Sequence, residues 1–146
     1  KSTGAVNFPV PFRLGEIEEN LIVTTKTPSK PSKEQIINQA IQFHLQGNIT
    51  EASKCYQYCI NQGFKDHRVF SNYGAILQGL GKLKEAEFSY RKAIEIKPNY
   101  ADAYNNLGII LINLGNLKEA RLCSKKLMSI RSWSILGSYS FNYGMT

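Results

Sequence analysis

Proline is nearly absent beyond residue 31: Pro9, Pro11, Pro28 and Pro31 crowd the start of the chain, and only Pro98 interrupts the remainder. Helices are therefore free to form after residue 31, while the early prolines exclude a long helix before it. Apolar runs are short too. The longest, Ile109 to Ile112, stops at Asn113 and falls far short of a bilayer span. Three cysteines are an odd number for a disulfide framework, so free thiols are expected. Cys55 and Cys59 lie one helical turn apart, and His44 is the histidine to consider beside them. That set lacks a recognised zinc spacing, and no metal is expected. There is no glycine-rich phosphate loop, no H-E-x-x-H and no G-x-S-x-G. His44 and His67 are the only histidines, and neither has an acid and a nucleophile at a telling spacing. Neither catalysis nor a cofactor is expected. The opening KSTGAVNFPVPF lacks the unbroken apolar stretch of a secretory signal, so the cytoplasm is the expected location, without a membrane partner.

What the chain does have is an internal period. Gly74, Leu77, Leu80, Gly81, Leu83, Lys84, Glu85 and Ala86 recur 34 residues later as Gly108, Leu111, Leu114, Gly115, Leu117, Lys118, Glu119 and Ala120. In the other direction Gly81, Ala86 and Tyr90 fall on Gly47, Ala52 and Tyr56. Phe70, Tyr73, Leu77 and Leu80 have helical spacing and are followed by Gly81, where a helix can end. Leu83, Ala86, Tyr90, Ala93 and Ile94 form the apolar face of a second helix, which Pro98 stops. Each unit is thus a helical hairpin with small residues at close approaches, and such hairpins bury their faces by stacking. Ser32 with Gln35 has the form of a capping box, and Asp66 and Asn99 are placed to cap the next helices in the chain.

The unit resembles the tetratricopeptide repeat, W-x2-L-G-x2-Y followed by alanine, an aromatic, alanine and proline. Phe70, Tyr73, Gly74, Leu77, Ala86, Tyr90, Ala93 and Pro98 carry the match. The third unit departs at Ser124, Leu127 and Ser132, which makes its second helix degenerate, and the first departs at Gln39, Ala40 and Phe64. The resemblance implies an all-α helix-turn-helix solenoid, an α-α superhelix of three tandem units of bacterial type. The expected division is an extended N-terminal arm over 1–32, units over 33–66, 67–100 and 101–134, and a tail or vestigial capping helix over 135–146. Within the arm, GEIEENLIVTT is expected to be extended or a short strand.

The family presents a concave face lined by the first helix of each hairpin. By resemblance that lining comprises Ile37, Ile41, His44, Arg68, Asn72, Ala75, Asn105, Asn106, Ile109 and Ile112. It implies non-catalytic binding of another protein, as a peptide or a helix. One family mode, the carboxylate clamp for chaperone tails, is not expected. Ile37 and Ile41 replace its first lysine and asparagine, and Asp102 and Asn106 replace its later lysine and arginine. The rival partner is RNA, because the net charge is +7 and Lys118, Arg121, Lys125, Lys126 and Arg131 crowd one helix. A third reading is a docking segment detached from an enzyme such as a glycosyltransferase. Both ends are expected to lack a polar cap, which would allow a homodimer through them.

Overall fold

The computed structural model describes the backbone of residues 30–142 and the side chains through residue 133. Residues 1–29 of the expected arm, with the GEIEENLIVTT stretch, lie outside the described residues. Among the described residues six helices succeed one another, α1 (Lys33–Leu45), α2 (Ile49–Asn61), α3 (His67–Gly79), α4 (Leu83–Ile96), α5 (Ala101–Asn113) and α6 (Leu117–Asn142), and no strand occurs. The helices pair as α1 with α2, α3 with α4 and α5 with α6, and each pair packs on the next.

The turns inside the hairpins are set by glycine. At Gly81, φ is 73°, and the backbone there closes a Schellman pair: Lys82 N–H donates to the Leu77 carbonyl at 2.9 Å and Gly81 N–H to that of Gln78 at 3.0 Å. The same pair of bonds recurs at Gly47 and Gly115. The joint between α4 and α5 uses proline instead. Lys97, which precedes Pro98, is extended at φ −131° and ψ 91° and ends α4.

Starts of helices match the expectations at two of three places. Ser32 and Gln35 form the capping box, with Ser32 N–H donating to Gln35 Oε1 at 2.7 Å and Gln35 N–H to Ser32 Oγ at 3.2 Å. Asp66 Oδ1 accepts from Arg68 N–H at 2.8 Å. Asn99 does not cap α5; Tyr100 holds that position and makes no side-chain cap. The 34-residue period explains the correction, since it places Tyr100, not Asn99, opposite Asp66.

Packing divides into two clusters. Ile36, Ile37, Ala40, Ala52, Cys55, Tyr56 and Cys59 form one with Val69 and Ile76, and Leu77, Ala86, Tyr90 and Ala93 join α5 and α6 in the other. Tyr73 packs against both. Thus α3 is apolar on two sides, one for its own hairpin and one for the preceding hairpin. Val69 and Ile76 on α3, and Ala103 and Ile110 on α5, are the buried residues of that second side. On α1 the equivalent places are Gln35 and Gln42, both exposed. Among the described residues the outer face of α1 is therefore polar, unlike the bare end expected there, and the other end of the stack is formed by α6. There Met128 and Trp133 are exposed at 71% and 77%.

α6 runs through residue 134, where the third unit is expected to end, and on to Asn142. Ser132 stands where α4 is followed by Pro98, so nothing stops the helix. At 26 residues α6 is twice the length of its hairpin partner α5, which has 13. No helix among the described residues is long and apolar enough to cross a membrane.

Candidate functional site

First helices approach each other more closely than second helices do, as the packing of α3 on α5 shows. The stack therefore curves with α1, α3 and α5 on its concave side. On α5 the residues facing that side are Asp102, Asn105, Ile109 and Ile112, spaced i, i+3, i+7 and i+10, and all are exposed. Ile109 and Ile112 are 42% and 57% accessible, high values for isoleucine within a packed array.

The same stripe is partly covered on the earlier helices. Ile41, His44, Arg68, Asn72 and Ala75 are half-buried. Ile37 is wholly buried, in the cluster with Val69, and does not line the groove. Its counterpart Ser71 is also buried, whereas the next counterpart, Asn105, is exposed. This position is covered wherever another first helix comes after it, and α5 has no successor among the described residues.

Arg68 is fully engaged. Its Nη1 and Nη2 donate to Glu34 Oε1 and Oε2 at 3.0 and 2.9 Å, and Nη2 and Nε donate to Asp66 at 2.8 and 3.1 Å. Hydrogen bonding to Arg68 holds the Glu34 carboxyl below its ordinary range. At Asp66 partial burial pushes upward, but hydrogen bonds from the Arg68 side chain and backbone outweigh it, and the net shift is downward. The cation of this wall is thus neutralised, while Asp102 on α5 stays exposed.

Asn72 and Asn106 sit beside tyrosines of the preceding hairpin. Burial raises the hydroxyls of Tyr56 and Tyr90 to about 12, with a smaller opposing pull from Asn72 and Asn106. Tyr90 OH also donates to Gln78 Oε1 at 3.0 Å. Tyr56 OH is buried without a hydrogen-bond partner among the described residues, and Asn72 lies near it without bonding geometry. In place of Gln78 the first unit has His44, which stacks edge-on against Tyr56 with centroids 6.0 Å apart. Asn105 is exposed, its Nδ2 donating to Asn106 Oδ1 at 3.4 Å. The sequence reading missed Gln78 and Asn38 as parts of this face. Shifting Asn72 or Ile112 back by one period would have found Asn38 and Gln78.

Metal-binding clusters of His, Cys, Asp and Glu are absent among the described residues. Cys55, Cys59 and Cys123 are free and buried. Burial raises the Cys55 thiol to about 11 and the Cys59 thiol to about 12, so both stay protonated and unreactive near neutrality.

Comparison with known proteins agrees with this geometry. A family model described as TPR repeat matches residues 74–115, and a second, described as tetratricopeptide repeat, matches residues 101–132. A search of curated proteins returns no match. Among solved structures, the second TPR of Spaghetti (RPAP3) bound to HSP90 peptide SRMEEVD is 20% identical with a TM-score of 0.63, covering 79% of this chain and 98% of that one. The TPR2B-domain:pHsp70-complex of yeast Sti1 is 24% identical with a TM-score of 0.64, covering 75% of this chain and 88% of that one. The crystal structure of MamA is 18% identical with a TM-score of 0.63, covering 78% of this chain and 70% of that one. The hairpins, the glycine turns and the matched models agree: residues 74–132 carry tetratricopeptide repeats within an all-α helical solenoid.

Proposed function

We propose that the chain is a non-catalytic interaction module that takes an extended peptide or a partner helix on its concave face. The observation that carries this is the exposed α5 stripe, where Asn105 offers amide hydrogen bonds beside the bare aliphatics Ile109 and Ile112. Amides pair with peptide main chain, and aliphatics at one-turn spacing receive apolar side chains. The likeness to repeat domains solved with Hsp90 and Hsp70 peptides supports a peptide as the ligand class.

An acidic chaperone tail does not fit the groove chemistry. Ile37 is buried where the clamp needs a lysine, Arg68 is already paired with Glu34 and Asp66, and Asp102 repels a carboxylate. The groove suits a neutral or basic segment with apolar residues. The test is to pan a displayed peptide library against the full chain and measure the enriched peptides on an Ile109→Glu/Ile112→Glu variant. Both sites are exposed, so the fold is retained, and a loss of roughly tenfold or more is expected. Unchanged affinity would remove the groove from the proposal.

A further inference from the structure

The convex side carries a feature that peptide binding in the groove leaves unused. Second helices are splayed apart, and between α4 and α6 this opens a hollow of about 480 Å³ floored by Ile94, Tyr104, Leu107 and Cys123, with Leu122 and Lys126 on its α6 side. A second hollow of about 240 Å³ adjoins it, lined by Lys126, Ile130 and Trp133 among others. Lys126 lines both, so the two hollows lie end to end along α6 and together make up an interrupted furrow. Leu122 and Trp133 stand exposed on its edge at 63% and 77%.

Charge distinguishes α6 from the other second helices. Lys54 pairs with Glu51 on α2, and Lys84, Arg91 and Lys92 pair with Glu87 and Glu95 on α4. On α6 the single acid, Glu119, is taken by Arg91. None of Lys118, Arg121, Lys125, Lys126 and Arg131 has a carboxylate partner among the described residues. An apolar furrow beside unbalanced cations complements a chain segment that alternates apolar and acidic side chains.

We propose that this furrow is a second docking surface, for an acidic segment of a partner protein, seating apolar side chains in the two hollows and carboxylates on Lys126 and its neighbours. RNA is the poorer match. Among the described residues the aromatics lining the furrow are Tyr104 and Trp133, not the series of exposed aromatics on which successive bases stack.

Trp133 is the only tryptophan of the chain, so its emission reports on the furrow directly. The full chain is titrated with a synthetic peptide in which Leu and Phe alternate with Asp and Glu, and with the same peptide carrying Asn and Gln instead. The acidic peptide is expected to shift the emission, and its binding should weaken with added salt. Roughly tenfold weaker binding is expected for the amide peptide, and separately for Lys126→Glu. Leu122→Ser should weaken both peptides, and Ile109→Glu neither, which separates this surface from the concave one. Far-ultraviolet circular dichroism verifies that each variant is folded. Equal binding of acidic and amide peptides, wild-type affinity in Lys126→Glu, or an emission shift with polyuridylate or phosphatidylserine vesicles but none with the acidic peptide would each overturn the proposal.

Discussion

Gly74 and Gly108 occupy one position of consecutive repeats, yet their surroundings give substitution opposite signs. A Cβ at Gly74 would lie 3.1 Å from Tyr90 Cε1, so the buried, hydrogen-bonded Tyr90 ring would have to give by a few tenths of an ångström, whereas at Gly108 it would meet only Cys123 Cβ at an ordinary 3.6 Å. The difference comes from Ser124, which stands where the preceding unit has Tyr90. Gly74→Ala is expected to destabilise by about 1–3 kcal/mol through overpacking. Gly108→Ala should be neutral or stabilise by up to about 1 kcal/mol, because alanine is the better helix former. Urea denaturation of the two variants checks the contrast. His44 offers a second comparison between units. Burial lowers its pKa from 6.5, so the unfolded chain binds the proton more tightly. The stability this contributes is complete above about pH 6.5 and is lost as pH falls through the lower folded value. His44→Gln would place an acceptor by the unpartnered Tyr56 hydroxyl, as Gln78 serves Tyr90. The variant is expected to gain about 0.5–1.5 kcal/mol and to melt at a temperature less sensitive to pH between about 7 and 5. Neither contrast is visible in one repeat read alone. Both appear when residues a period apart are set side by side.

At the level of helices, the period, the glycine turns and the capping box were legible because each is a local effect of spacing or backbone chemistry. Asn99 was misread because asparagine's capping preference was weighed without the register, which assigns the cap position to Tyr100. The burial of Ile37 was hidden because it depends on a neighbouring helix that covers it, a relation no single helix periodicity encodes. The link between α1 and α3 through Arg68 is likewise tertiary, and it makes the stack acid-sensitive. Glu34 and Asp66 titrate below their ordinary values of 4.5 and 3.8 in the folded chain. The unfolded chain therefore takes up protons first, and the stability contributed above the ordinary carboxylate range is lost as pH falls through the folded values. Thermal melts should show a steeper loss between about pH 5 and pH 3 for the native chain than for Arg68→Met, which has no pair to lose. Parallel pH profiles for the two would show that the pair carries no stability.

For the whole molecule, the two ends of the stack are chemically unlike. Gln35 and Gln42 make the first face polar where later units carry Val69 with Ile76 and Ala103 with Ile110. Gln35→Val with Gln42→Ile is expected to turn that end into an acceptor for another hairpin. Sedimentation should then reveal concentration-dependent association absent from the native chain, and a variant that stays as native would show that these positions do not seal the end. The sequence carried this information in two glutamines, but their meaning emerges only once the face meeting a preceding hairpin is known. An asymmetry arises from two ion pairs that cross between units among the described residues. Glu34–Arg68 ties the first hairpin to the second along the concave side, and Arg91–Glu119 ties the second to the third along the convex side. The two joints are thus braced on opposite sides of the stack, and because both pairs are solvent-accessible, added salt weakens both braces together.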